Sequence, residues 1–373
     1  MIVYVINPGS TSTKLALAEI ERGDNPGLPS QLRLKLQKTE VEHSALLTGP
    51  LELGGLEADL SAAAADWPAP DAVVAHCGLI GTLNAGAYRV TPELAEWLLT
   101  HPNGEHTSNV GAALALSLAE SRSVPAYIVD PPDVDELLPE ARVSGLAGTE
   151  RLSRLHTLNA RLVARRASHE QGVRFQDARV VVAHLGGSVS VSAFENGRII
   201  DTTGARLDEG PFTPSRAGTL PMHVLIELAY SRPRAELERL LLRESGFVSL
   251  TGTADLRELE RREKTEGRVK LAADAFAHQV AKNIGAYAAA LSARPHAIAV
   301  TGGIARWGSV VDRIERRVGW IAPLTVLPGE LELEALAEGA GRVLLGLEAV
   351  REWSAPPDSD ATDSAVSTAA DPS

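Results

Sequence analysis

The feature that most constrains this chain is a pattern that it uses twice. Ile2-Val3-Tyr4-Val5-Ile6 is an apolar, β-branched run. Asn7-Pro8-Gly9-Ser10-Thr11-Ser12-Thr13 and Lys14 follow it, and a second apolar run spans Leu15 to Ile20. Val180 to Ala183, His184-Leu185-Gly186-Gly187-Ser188 and Val189 to Phe194 repeat the arrangement. Asn7 falls on His184 and Gly9 on Gly186, an offset of 177 between positions 7 and 184. Short apolar runs joined by Gly and small polar residues predict a β-hairpin. One such hairpin in each half predicts a duplicated fold, because internal self-similarity marks a repeated structural unit.

The first turn is chemically distinctive. It presents backbone N–H groups, the hydroxyls of Ser10, Thr11, Ser12 and Thr13, the Asn7 amide and the Lys14 ammonium. Oriented amides with a lysine stabilise anionic oxygens, so the turn suits a phosphate. It is not a Walker A loop, since the Gly-Lys-Ser/Thr ending is missing. Taken alone, the segment reads equally well as an ordinary hairpin turn. Its recurrence in the other half favours a nucleotide held between the two.

A chain of 373 residues is too long for one typical core and predicts two domains. Hydrophobic content of 44% with 23% charged residues is ordinary for a soluble enzyme. A formal net charge of −12 argues against nucleic acid as a partner, which would need basic patches. The single cysteine, Cys77, excludes an internal disulfide framework and fits a reducing, cytoplasmic compartment. The apolar N-terminus lacks a basic flank and is broken by Pro8-Gly9, so it reads as a strand and not a signal peptide. No apolar run approaches the roughly 20 residues of a membrane helix.

Along the chain, residues 32–41 predict a strand and 44–65 a helix. A short buried strand at 72–75 enters His76-Cys77-Gly78. Thr91-Pro92 reads as an N-cap with Pro at the first helical position, and 109–120 as a further helix. The strand 125–129 stops at Asp130, and an acid at that end of an α/β strand lies where ligands sit. Alone, Asp130 reads as a turn residue before proline. Residues 149–171 predict a long helix containing His156. The unpatterned segment 208–219, whose only cation is Arg216, is long enough to point to function. Helices are expected at 222–228, 234–244, 256–264, 269–292, 310–318 and 333–353, with a strand at 324–327. The strand 297–300 enters Thr301-Gly302-Gly303, where backbone can approach a flat ligand closely. Residues 354–373 have almost no large apolar side chain and predict a disordered tail. The expected domains are 1–150 and 151–353, with the last helix free to pack back on the first.

Together, Asn7-Pro8-Gly9-Ser10-Thr11-Ser12-Thr13-Lys14, His184-Leu185-Gly186-Gly187, Glu209-Gly210-Pro211-Phe212, Arg216-Ala217-Gly218 and Thr301-Gly302-Gly303-Ile304-Ala305 resemble the acetate and butyrate kinase branch of the actin-like ATPase superfamily. The resemblance runs in order from Met1 to about Trp353. It implies a duplicated α/β fold of the ribonuclease H-like type, each half built around a five-stranded sheet, with ATP in the cleft. It implies that Asn7 and Lys14 lie by the transferred phosphoryl group. His184, Gly186 and Gly187 would form the second phosphate loop. Asp255 and Arg257 would contact the nucleotide, and Gly302 and Gly303 the adenine side. Asp130 and Arg216 would be catalytic, His156 would match a catalytic-site histidine of the butyrate side of the branch, and Glu332 would be linked to Mg²⁺.

The departures are equally specific. His76-Cys77-Gly78 stands where relatives carry Arg-Gly-Gly, which replaces a cation with a titratable imidazole. Ala160 stands at a histidine catalytic in acetate kinase, and Ser188 replaces a third Gly. The implied activity is reversible phosphorylation of a short-chain carboxylate, butyrate first, by ATP with Mg²⁺, in a homo-oligomer. Acetate, propionate or a branched acid are the alternative substrates. An inactive nucleotide-binding paralogue is the reading from another class.

Overall fold

The computed structural model describes residues 1–23, 32–43, 53–100, 106–204 and 209–355. The expected helix over 44–65 lies partly outside these residues, as do Asp208 and most of the 354–373 tail.

Two sheets order the described chain. The first contains β1 (Ile2–Pro8), β2 (Ser12–Arg22), β3 (Leu32–Glu42), β4 (Ala72–Ala75), β5 (Ala87–Arg89) and β6 (Ala126–Val129). The second contains β7 (Arg179–Leu185), β8 (Val189–Glu195), β9 (Arg198–Thr202), β10 (Ala297–Gly302) and β11 (Leu324–Pro328). Their orders are β3-β2-β1-β4-β6-β5 and β11-β10-β7-β8-β9. In each, an antiparallel meander continues into two parallel strands, so β3-β2-β1-β4-β6 and β9-β8-β7-β10-β11 are the same topology. The offset of 177 holds at both ends of the first strand, from Ile2 to Arg179 and from Pro8 to Leu185. The register agrees as well: Ile6 pairs with Ala75, and Ala183 pairs with Val300. Thr301-Gly302-Gly303 is therefore the counterpart of His76-Cys77-Gly78.

The helices are α1 (Leu53–Ala63), α2 (Pro92–Thr100), α3 (Gly111–Glu120), α4 (Pro139–Arg142), α5 (Thr157–Glu170) and α6 (Met222–Ser231). They continue with α7 (Arg234–Arg243), α8 (Gly246–Thr251), α9 (Leu256–Arg262), α10 (Gly267–Ala289), α11 (Gly308–Val318) and α12 (Glu332–Leu344). Strand alternation sorts the cores. Tyr4 and Ile6 face α1, α2 and α3, while Val3 and Val5 face α12 through Leu333, Leu336 and Ala337. In the second sheet Val181 and Ala183 face α10 and α11, while Val180 and Val182 face α5. The two inner helices, α5 and α12, lie between the sheets, with α12 covering the sheet that comes first in sequence. Two glycines let it approach. A β-carbon on Gly339 would lie 2.5 Å from Val129, and one on Gly341 would lie 2.8 Å from Ile20.

Three expectations change. The first sheet has six strands, because β5 adds antiparallel to β6 at its edge. The expected helix over 149–171 begins only at Thr157, because Arg151 is drawn to Asp201 and the Thr202 carbonyl at the end of β9. The expected helix to Trp353 ends at Leu344, followed by Gly346 at φ +67°. Arg351 then hydrogen-bonds to Ala87 and Arg89 at the edge of the first sheet. Among the described residues no helix is long and apolar enough to cross a membrane.

Candidate active site

Four parallel strands, two from each sheet, end on one cavity of about 150 Å³. Ends of parallel strands in α/β sheets are the usual place for ligands. His76 follows β4, Asp130 follows β6, His184 lies near the end of β7, and Glu330 follows β11. All four line the cavity with His106, His156, Asn159 and Glu332. Pro132, Leu155 and Leu158 give it an apolar wall.

The first hairpin enters from one side. Asn7 and Lys14 are directly opposed in the β1–β2 ladder, so their side chains share a face. Asn7 donates from Nδ2 to Glu332 Oε2 at 2.6 Å, which joins this hairpin to the first residue of α12. Desolvation and the neighbouring Glu332 push the Glu330 carboxyl upward, and Lys14 pulls it down. Ser10 and Thr11 stand exposed at the tip. The other two hydroxyls of the turn are already engaged. Ser12 donates to Glu40, and Thr13 is buried with its Oγ1 3.0 Å from His43 Nε2. Adjacent strand residues point to opposite faces, so Thr13 looks away from the face that carries Lys14.

The second hairpin enters from the other side with different chemistry. His184 is buried and its ring stacks on His156 with centroids 3.8 Å apart and planes 10° from parallel. His156 lies 2.7 Å from the Ser188 hydroxyl and 3.1 Å from that of Ser190. Ser188, a departure from the expected glycine, is thus the partner of His156. Burial, and then the nearby Arg216 charge, pushes His156 down to about 4. Burial and His156 hold His184 well below the usual imidazole range. His76, expected to be titratable, is lowered by burial and by His106 to about 3, with its Nδ1 2.8 Å from Ser108 Oγ. At neutral pH these three imidazoles carry no charge.

Asp130 adopts φ +43°, a left-handed conformation that Asp tolerates better than most residues. Its Oδ1 accepts the Gly86 N–H at 2.7 Å and lies 3.1 Å from Arg161 Nε. Gly302, at φ +88°, exchanges backbone hydrogen bonds with Gly329. A β-carbon there would stand 2.3 Å from the Leu185 carbonyl oxygen, so glycine is what lets β10 close against the second hairpin. Gly303 opens the short turn that follows. Gly186 bonds across its turn to Ser188, and Gly187 is exposed beside it. Asp255 and Arg257 are exposed and do not line the cavity; Asp255 caps α9 by accepting the Arg257 and Glu258 N–H groups.

The family model described as Acetokinase family matches residues 151–319. A protein of Deinococcus radiodurans named a probable butyrate kinase is 55% identical over 362 residues, 95% of this chain and 94% of its own. The chain belongs to the acetokinase family. Solved structures agree on the fold. An acetate kinase of Porphyromonas gingivalis has a TM-score of 0.71 at 22% identity, covering 93% of this chain and 100% of its own. A propionate kinase of Francisella tularensis has a TM-score of 0.67 at 17% identity, covering 90% and 98%. An acetate kinase of Entamoeba histolytica has a TM-score of 0.68 at 15% identity, covering 93% and 100%.

Against the family motifs, sequence reasoning missed Asn159, His106 and Glu330. Asn159 carried a usable signal. It stands three residues after His156, and in the helix expected over 149–171 that spacing places two side chains on one face, although His156 itself sits just before α5. His106 and Glu330 sit in irregular turns and carried none.

Proposed function

We propose that this chain is an ATP-dependent kinase that phosphorylates a short-chain carboxylate, butyrate by preference, to the acyl phosphate in a reversible reaction. The observation that carries this reading is the 55% identity, over 95% of the chain, to a protein named a probable butyrate kinase. The cavity's chemistry supports it. A carboxylate with a pKa of about 4 to 5, like that of Glu, is ionised at neutral pH and needs no general base. Catalysis of phosphoryl transfer then reduces to positioning and to stabilising charge on the equatorial oxygens. Neutral imidazoles are suited to that task as hydrogen-bond donors, while Arg216 and Lys14 supply positive charge.

In this reading Arg216 grips the carboxylate or the moving phosphoryl group with its planar fork. The hairpin amides, with Ser10 and Thr11 at one tip and Gly186 and Gly187 at the other, bind the nucleotide phosphates. Gly302 and Gly303 border the adenine, and Asp255 and Arg257 reach the nucleotide from outside the cavity. Pro132, Leu155 and Leu158 receive the acyl chain. Glu332, with Glu330 beside it in the cavity lining, would hold Mg²⁺, an ion usually bound by one or two carboxylates together with substrate phosphates. When bound, the ion neutralises phosphate charge. Among the described residues no three His, Cys, Asp or Glu side chains form a separate metal cluster.

The reading also takes residues 1–150 and 151–353 as two domains that close on the nucleotide in the cytoplasm. Met222, Leu225, Ile226 and Tyr230 are exposed at helical spacing on α6, which supports a homo-oligomer. The deciding experiment is a hydroxamate assay with ATP, Mg²⁺ and straight-chain acids of increasing length. Product should be greatest with butyrate. No product with any acid would remove the kinase reading, and a maximum at acetate would move the substrate.

A further inference from the structure

His184 can exist in two neutral forms, and the hydrogen bonds around it select one. Asn159, in the first turn of α5, is 3% exposed. The Leu331 backbone N–H donates to Asn159 Oδ1 at 3.1 Å. A backbone N–H can only donate, so the amide oxygen must be the atom that faces Leu331. The amide nitrogen then faces the other way, 2.9 Å from His184 Nδ1 and 3.3 Å from Thr301 Oγ1. An amide nitrogen has no acceptor capacity, so His184 Nδ1 accepts. A neutral imidazole whose Nδ1 accepts carries its proton on Nε2.

The same circuit is closed at its other end by backbone. Thr301 Oγ1 donates to the Gly329 carbonyl at 3.1 Å, which leaves its lone pair for Asn159. Two groups without tautomers, the Leu331 N–H and the Gly329 C=O, therefore set the direction of every bond between them. His184 Nε2 lies against the second hairpin turn: a β-carbon on Gly186 would stand 3.0 Å from it. Burial and the stacked His156 keep the ring uncharged.

We propose that Asn159 is a positioning residue that locks His184 as the Nε2–H tautomer, so that a neutral ring donates from Nε2 to a phosphoryl oxygen held at the Gly186–Ser188 turn. The same side chain ties that turn to the segment carrying Glu330 and Glu332. The proton's place stands on the hydrogen bonds alone; only its use toward phosphate rests on the kinase reading.

The test separates the two. In ¹⁵N spectra of the histidine-labelled protein, His184, picked out among ten histidines by its loss in H184Q, should show a proton-bearing Nε2 and an accepting Nδ1. A proton on Nδ1 would overturn the proposal whether or not the protein is a kinase. Asn159→Asp is the discriminating variant. Asp still accepts from Leu331 but also accepts at His184, so it draws a proton onto Nδ1. Turnover at neutral pH should fall about 10²-fold, the loss typical of one transition-state donor. It should recover as pH falls, because the imidazolium again carries an Nε2–H. A uniform loss at every pH, or unchanged turnover with an unchanged ¹⁵N pattern, would overturn the assignment.

Discussion

The two hairpins have one backbone plan and opposite chemistry. The first closes with Pro8 opposite Thr13, and the second with Leu185 opposite Val189, so the first turn is one residue longer. On the face that Asn7 and Lys14 occupy in the first, His184 and Ser190 are paired in the second. Lys14 is exposed and charged, whereas His184 is buried and neutral. The next strand continues the contrast, with Cys77 standing where the other half has Gly302. Duplication has preserved where the chain turns, and substitution has divided the labour. One side brings charge to the cavity, and the other brings donors in a defined geometry.

The comparison predicts an order of sensitivities. Arg216, whose charge reaches His156 beside the second hairpin, should be the most demanding position. Arg216→Lys keeps the charge and loses the fork, and kcat should fall by about 10³-fold, the range for arginines serving phosphoryl transfer, with ATP affinity little changed. Steady-state kinetics and nucleotide titration measure both. Turnover within a few-fold of the parent would mean that charge alone suffices on this side too, and the contrast would fail.

Counterpart positions sharpen it next. Gly302→Ala meets both a positive φ and the Leu185 carbonyl, and should destabilise by about 3 kcal/mol or more. Cys77→Ala, at the matching place, should cost about 1 kcal/mol, since little volume is lost. Urea unfolding of both variants decides. Equal losses would show that the two strand ends are packed alike.

A smaller effect comes from pH. His156 is lowered from 6.5 to about 4 in the folded protein. Between those values the unfolded chain takes up a proton that the folded one refuses, so stability falls as pH drops through that window. The slope is about 1.4 kcal/mol per pH unit for each such imidazole. In His156→Gln the denaturant midpoint should fall less steeply from pH 6.5 to 4. An unchanged slope would place the pH sensitivity elsewhere.

The smallest change is expected at the first hairpin. Lys14→Met should lower kcat/KM by about 10-fold at low ionic strength and by less in salt, because exposed charges are screened. The acidic limb of its pH profile should also move up, since Lys14 no longer holds Glu330 down. A salt-independent loss would mean that Lys14 acts by geometry.

What could be read from sequence follows from how local each signal is. The hairpins were legible because a run of β-branched residues and a Gly turn specify themselves within about fifteen positions. The N-cap at Thr91 was legible for the same reason, and its Oγ1 does accept the Leu94 N–H. The three residues of β5 were not, because their strand character comes from pairing with β6 and from Arg351, far away in sequence. The start of α5 was misplaced because a distant ion pair at Arg151, and not local propensity, decides it. At the site, residue types in family motifs were legible, while the engagement of Thr13 with His43 and the neutrality of His76 depend on burial that only the packed molecule defines.

The inner face of the first sheet has a consequence for how the chain is made. Val3, Val5, Ala16, Ala18 and Ile20 leave the ribosome long before α12, which covers them together with Leu158 and Leu162 of α5. Until α12 is made, that face lacks most of its helical cover. A truncation anywhere before Leu333 would strand a greasy β-surface in water, and a nascent chain stalled there is a natural client for a holding chaperone. Translation has to pass through α12 before the chain can hide all of the apolar face that was made first.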